Sequence, residues 1–167
     1  MRKFLFINII LLSIFAFVST SYSAEKATAR EVIKKVKKAA RYLQKTKNSG
    51  LKQFNKKNSQ WVFKDTYVFV FKCSSGQILA HPIKPQLIGK KLLGLKDIKG
   101  NLFFVQMCNS SKNKKGGWTE YWWPKPGEKK PSRKISLLMK VKGTDFQVGA
   151  GIYNDTKTVA ELNKLLK

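Results

Sequence analysis

Tyr67-Val-Phe-Val-Phe71-Lys-Cys-Ser-Ser-Gly76-Gln-Ile78-Leu-Ala-His81-Pro82 is the stretch that decides the fold. Residues 67–71 are all aromatic or β-branched, the composition of a buried strand. Ser74-Ser-Gly76 supplies turn chemistry, Ile78-Leu-Ala-His81 returns as a second strand, and Pro82 stops it. Residues 66–82 therefore read as an antiparallel hairpin.

Working outward toward the C-terminus, the stretch to residue 100 is loop-rich and punctuated by Gly89, Gly94 and Gly100. Residues 101–110 lack a clean period, and a helix is the preferred reading. Gly117-Trp-Thr-Glu-Tyr-Trp-Trp123 is a strand, Pro124 to Pro131 a hairpin loop, Ile135 to Val141 a strand, Gly143-Thr-Asp145 a turn and Phe146 to Tyr153 a last strand. Asn154 or Asp155 is expected to cap a final helix with Val159, Leu162, Leu165 and Leu166 on one face.

Toward the N-terminus, Thr28-Ala-Arg-Glu31 is a capping box. It opens an amphipathic helix of about five turns with Val32, Val36, Ala39, Ala40 and Leu43 at helical spacing. The stripe is narrow and Ala-rich, which suits packing on a sheet better than insertion into a membrane surface. A short helix near residues 51–57 follows. The sum is one α+β domain over residues 25–167: a long N-terminal helix and an antiparallel sheet of about five strands, one face under the helix and the other free to curve over a pocket.

Residues 1–24 read differently. Arg2 and Lys3 precede an apolar run from Phe4 to Val18, and small polar residues follow to Ala24. This is the layout of a secretory signal peptide, and the run is short of the roughly 20 residues a membrane span needs. The expected location is periplasmic or secreted, with an uncleaved N-terminal anchor as the alternative.

Charge is the second strong feature. Lys plus Arg number 34 against 9 Asp plus Glu, a net +25. Only Arg2, Arg30, Arg41 and Arg133 are arginines. Lysine is a point charge rather than a planar two-toothed reader of phosphate and base edges, so specific nucleic-acid recognition is not expected. The field still draws anions. Cys73 and Cys108 read either as one disulfide or as two buried thiols; a bond would close a loop of about 35 residues and contribute about 4 kcal/mol on the chain-entropy model.

Catalytic patterns are wanting. One histidine, no C-x-x-C, no carboxylate cluster and no Gly-rich phosphate loop argue against metal, hydrolytic or nucleotide chemistry. No enzyme activity, metal or cofactor is expected. The aromatic cluster stands out instead: Tyr121 and Trp123 point to one side of their strand, Trp118, Glu120 and Trp122 to the other. Aromatics with polar tips are the stuff of small-ligand pockets.

In order along the chain, Tyr67-Val-Phe-Val-Phe71, Gly76, Leu79-Ala-His-Pro82, Leu87-Ile-Gly-Lys90, Asp97 with Gly100, Gly117-Trp118, Tyr121-Trp-Trp-Pro124, Lys134 and Val148-Gly-Ala-Gly-Ile-Tyr153 resemble the single Cache domain family. The match runs from about residue 28 to 153. The resemblance implies a PAS-like antiparallel sheet behind a long helix, and an extracytoplasmic sensor for small molecules, often short carboxylates. In receptors such a domain sits between two membrane helices and feeds a cytoplasmic output domain. Neither is found here, so a free-standing binding protein is expected, with a membrane-bound signalling partner or an anionic envelope surface as its docking site.

Two positions depart from the family pattern: Cys73 stands where an acidic residue is usual, and Leu137 where a tyrosine follows the lysine. The family match makes Lys134 the candidate partner of a ligand carboxylate and Tyr121 a donor to it. Tyr67, Phe69 and Trp123 are expected to wall the apolar part, and His81 to add a hydrogen bond with a charge that varies with external pH. The leading reading is a binding domain for a small anion. The alternative is a basic interaction protein for an acidic envelope polymer, an anionic lipid or another polyanion; salt dependence separates the two.

Overall fold

A computed structural model describes residues 25–167; the expected signal peptide lies outside the described residues. The chain runs α1 (Ala29–Thr46), a 3-10 turn (Lys47–Gly50), α2 (Leu51–Phe54), β1 (Val62–Phe63), β2 (Thr66–Tyr67), β3 (Phe69–Lys72) and β4 (Ile78–Ala80). After a long connection come α3 (Phe103–Ser110), β5 (Gly117–Pro124), β6 (Pro131–Lys140), β7 (Phe146–Tyr153) and α4 (Val159–Lys164). Five strands form one sheet in the order β4-β3-β7-β6-β5, every neighbouring pair antiparallel. This is the expected α+β architecture.

The capping box opens α1: the Glu31 amide donates to the Thr28 hydroxyl, and Glu31 accepts from the Thr28 amide at 2.8 Å. The spacing of Val32, Val36, Ala39 and Leu43 puts all four on one stripe, and all four are fully buried. They pack on the sheet face carrying Val68, Val70, Ile135, Leu137, Val148, Ala150 and Ile152. Burying each of the larger side chains stabilises by about 1.5–3 kcal/mol. The opposite face carries Tyr67, Phe69, Phe71, Tyr121 and Leu138 and is covered by Phe103, Phe104 and Met107 of α3. With both faces covered, all eight residues of β7 are buried, although it is an antiparallel strand.

Several boundaries differ from the sequence reading. The hairpin at residues 66–82 is divided: Thr66–Tyr67 pairs with Val62–Phe63 in a separate ribbon, and Phe69–Lys72 pairs with Ile78–Ala80 across a register shift at Val70/Phe71. β6 starts at Pro131 rather than Ile135, because its first residues extend the ladder to Pro124. The last helix is capped by Thr158 in a second capping box with Glu161. Asp155 instead accepts from the Lys157 amide at 2.7 Å, closing the preceding turn. Leu162 and Leu166 are buried while Leu165 is exposed; α4 ends at Lys164, and Leu165 is its C-cap rather than a residue of the helical stripe. Cys73 and Cys108 are joined in a disulfide with a Cα separation of 5.6 Å, so the open alternative resolves to the bond. It ties the end of β3 to α3.

Candidate functional site

Strand parity builds the site. Lys134 in β6 stands opposite Tyr121 of β5 and Tyr153 of β7. All three project to the face away from α1, because alternate residues of a strand share a face. Tyr67 and Phe69 join them there from β2 and β3, His81 follows the end of β4, and α3 closes the space from above. The resulting pocket is lined by Tyr67, Phe69, His81, Phe103, Tyr121 and Trp123, with Leu87, Phe104 and Met107 completing the lining. Its free volume is about 10 Å³, room for about one water molecule. The rings pack closely: Phe103 stacks on Tyr121 at 4.8 Å between centroids, and His81 lies 4.8 Å from Tyr67.

Lys134 sets the electrostatics. Its side chain is completely buried, and its Nζ has no hydrogen-bond partner. The ammonium sits 4.2 Å from the centroid of Tyr67, 4.7 Å from Tyr153 and 5.7 Å from Phe69. Cation–π attraction offsets part of the desolvation. Burial pulls its pKa down to about 7, with Asp65 opposing the fall and Lys84 adding to it. Gly151 makes the route to this position: a Cβ there would lie 2.8 Å from Lys134 Cε and 2.4 Å from Ser136 Oγ. Only a glycine lets the lysine stem cross the sheet at that point.

The other polar tips are satisfied within the protein. Trp123 Nε1 donates to Tyr67 OH at 2.9 Å, Tyr121 OH pairs with Ser136 Oγ at 2.9 Å, and Tyr153 OH donates to the Pro124 carbonyl at 3.0 Å. Burial pushes all three phenols above their ordinary pKa, so they stay neutral. His81 is 4 % exposed. Its Nδ1 accepts from the Lys84 amide at 2.9 Å, which assigns the ring proton to Nε2. Burial, then Lys134 and Lys84, lowers its pKa to about 3. The expectation of a pH-variable charge at His81 is thereby corrected: the imidazole is neutral throughout the ordinary range. It keeps one N–H donor.

Tyr67, Phe69, His81, Tyr121, Trp123 and Lys134 all converge on this one face. Leu137 does not: three residues from Lys134 it points to the α1 side, fully buried in that core. Its departure from the family pattern therefore alters the helix-packed face and leaves the pocket wall untouched. Sequence reasoning missed the α3 residues. Phe103, Phe104 and Met107 stand at i, i+1 and i+4, a helical face whose signal was there to be read. It also missed Lys84, whose Nζ lies 4.6 Å from the Trp123 ring centroid. Asp97, one of the family-like positions, works beside the site. It accepts from the amides of Lys99, Asn101 and Trp122 and so pins the approach to α3 against β5. Burial alone would raise the Asp97 pKa, but the Asn101 side-chain amide, which also donates to it, and these backbone donors together outweigh burial and lower the value.

No cluster of three or more His, Cys, Asp or Glu able to hold a metal occurs among the described residues. None of the described helices is long and apolar enough to cross a membrane.

Comparison with known proteins gives the same picture. The methyl-accepting chemotaxis protein McpP of Pseudomonas putida is 30% identical over 79 residues, 47% of this chain and 14% of that receptor; the chain thus spans a small part of its relative's length. A solved methyl-accepting chemotaxis protein from Vibrio parahaemolyticus superimposes with a TM-score of 0.59 at 25% identity, over 74% of this chain and 81% of that one. A periplasmic sensor domain of a chemotaxis protein gives 0.58 at 27% identity, over 76% and 88%. A Cache chemosensory domain solved for its carboxylic acid recognition gives 0.59 at 24% identity, over 74% and 86%, and shows the shared fold. The model of the Single Cache domain 2 family matches residues 10–161, and the chain belongs to that family.

Proposed function

We propose that this protein is an extracytoplasmic sensor-type domain that binds a small monocarboxylate through Lys134. The observation that carries the reading is the buried Lys134 Nζ without a hydrogen-bond partner, held over the rings of Tyr67 and Phe69, which also line the narrow pocket. A buried unpaired ammonium is destabilising until a counter-charge arrives. A carboxylate oxygen answers both deficits at once, with a charge-assisted hydrogen bond of the strong kind. The neutral Nε2–H of His81 supplies a second donor, and Tyr67, Phe69, Phe103 and Trp123 enclose a short apolar tail. A space for about one water means that the ligand is small and that α3 yields to admit it. Its relatives among chemotaxis receptors favour sensing over catalysis or transport. Export by a cleaved leader, and docking of the loaded domain on a membrane-bound signalling partner, complete the proposal.

The test is calorimetric titration of two- to four-carbon monocarboxylates, with amino acids and amines as competing classes, against wild type and Lys134→Met. Saturable binding of one carboxylate class that disappears in the variant supports the reading. Equal binding by the variant, or preference for a cationic ligand, overturns it.

A further inference from the structure

On the α1 side of the molecule, away from the pocket, lies an open groove with about 350 Å³ of free space. Its walls carry Lys37 and Arg41 of α1, Lys114 and Lys115 of the loop before β5, and Lys140 and Lys142 at the end of β6. Lys37 and Arg41 share one flank of the helix by i, i+4 spacing. Gly116 brings the loop in: a Cβ there would lie 2.5 Å from the Leu138 carbonyl and 2.7 Å from Met139 Cγ. Lys114 and Lys115 are therefore drawn up beside β6, facing the helix.

The groove has six cations and no acid. Among the described residues, none of the six takes part in any of the five salt bridges. The contrast is the cleft at the other end of α1, where Lys64 is paired with both Glu25 and Glu31. Like charges gathered in this way repel and weaken the fold slightly. A bound polyanion would relieve that repulsion. The rest of the lining, Ala40, Gln44 and Met139, offers no ring for a base or a sugar to stack on. It also offers no large exposed apolar side chain for insertion into a bilayer: the exposed Ile88, Ile98, Leu102 and Val105 belong to α3 and the connection leading to it, and Leu165 caps the end of α4. Lysines, which dominate the walls, hold phosphate as point charges without a fixed bidentate geometry.

We infer that this groove is a binding site for a linear phosphate-bearing polyanion, independent of the carboxylate pocket. The chain lies between α1 and the loop at residues 112–116, and its charges are read by position along the groove and not by sequence.

The experiment uses the full chain and short-chain inorganic polyphosphate as the probe, with affinity measured from about 0.05 to about 0.3 M salt. The groove variant is Lys37→Ala, Arg41→Ala, Lys114→Ala and Lys115→Ala together. The control removes the same charge elsewhere, with Lys90→Ala, Lys96→Ala, Lys129→Ala and Lys130→Ala. Melting curves of both variants establish that each is folded. The groove variant is expected to bind at least about tenfold more weakly than the control, with the slope of log affinity against log salt smaller by about 3. Lys134→Met should bind polyphosphate like wild type, so failure here and failure of the carboxylate proposal are distinguishable. Equal losses in the two quadruple variants mean a diffuse field and overturn the site. Absence of polyphosphate binding, or binding only to phosphatidylglycerol vesicles, overturns the assignment of the occupant.

Discussion

The two faces of the sheet are equally well buried and chemically opposite. The face under α1 is filled by Val32, Val36, Leu43, Val70, Leu137, Val148 and Ile152, side chains with no polar atom to satisfy. The face under α3 is filled largely by aromatic rings, and Lys134 is buried on it with no partner for its Nζ. The first face leaves one polar atom without a partner, Trp118 Nε1, and is otherwise packed with apolar groups. The second holds a buried charge that hydrophobic residues of similar size would replace at a gain in stability. A binding site of this kind is a local departure from the most stable packing, supported by the well-packed layer behind it.

The sharpest way to break that comparison is Lys134→Met. Lys134 titrates near 7 in the folded protein against 10.5 when exposed. The folded state thus holds fewer protons than the unfolded state between those values, and the wild type gains stability as pH rises from about 7 to about 10.5. At or below pH 7 the whole penalty is present, up to ~5 kcal/mol at 1.36 kcal/mol per unit. The methionine variant should melt higher than wild type at pH 6, with the gap closing by pH 10. A variant that melts lower at pH 6 would mean that Lys134 is a stabilising residue and the contrast between the faces is wrong.

Leu43→Ala tests the other face, where removing apolar volume should destabilise by about 2–5 kcal/mol in chemical denaturation. Carboxylate affinity measured where the variant is still folded should be unchanged. Coupled losses of stability and affinity would show that the two faces are not separable.

Replacing the bridge by Cys73→Ser with Cys108→Ser should lower stability by about 2–4 kcal/mol. The place of the loss is the informative part. Hydrogen exchange should quicken in α3, which the bridge tethers, and stay slow in α1. Uniform quickening would deny that α3 is the adjustable cover of the pocket. The smallest effect expected is from Thr158→Ala, about 1 kcal/mol from loss of the α4 cap. It should appear as a lower melting temperature with ligand affinity intact, because Leu162 and Leu166 belong to the α1-side core.

Tyr121 and Trp123 were legible as one side of a strand because strands obey parity. Lys134, Tyr67, Phe69 and His81 entered through the resemblance to the Cache family, and the register that sets Lys134 opposite Tyr121 came only with the structure. The α3 cover was harder. The helix itself was the preferred reading of residues 101–110, and Phe103, Phe104 and Met107 form a face at helical spacing, but which surface that face covers is set only when the chain assembles. Leu137, where the family pattern has a tyrosine, falls on the other face by the same parity, since counting by twos from Lys134 passes over it.

What the sequence determined by itself is local and periodic: the capping box at Thr28 and Glu31, the buried stripe of α1, the strands and their alternation, and the excess of lysine. What only the tertiary structure decided depends on which surfaces meet. The Cys73–Cys108 bond needed the end of β3 and α3 to approach within 5.6 Å. The lowered pKa values of Lys134 and His81 needed burial that no spacing encodes. The basic groove needed a loop carried beside a helix some seventy residues away in sequence, by a glycine seated against β6. Periodicity fixes which side of an element a residue occupies, but charge and desolvation depend on what packs against that side, and that is set by the assembled chain.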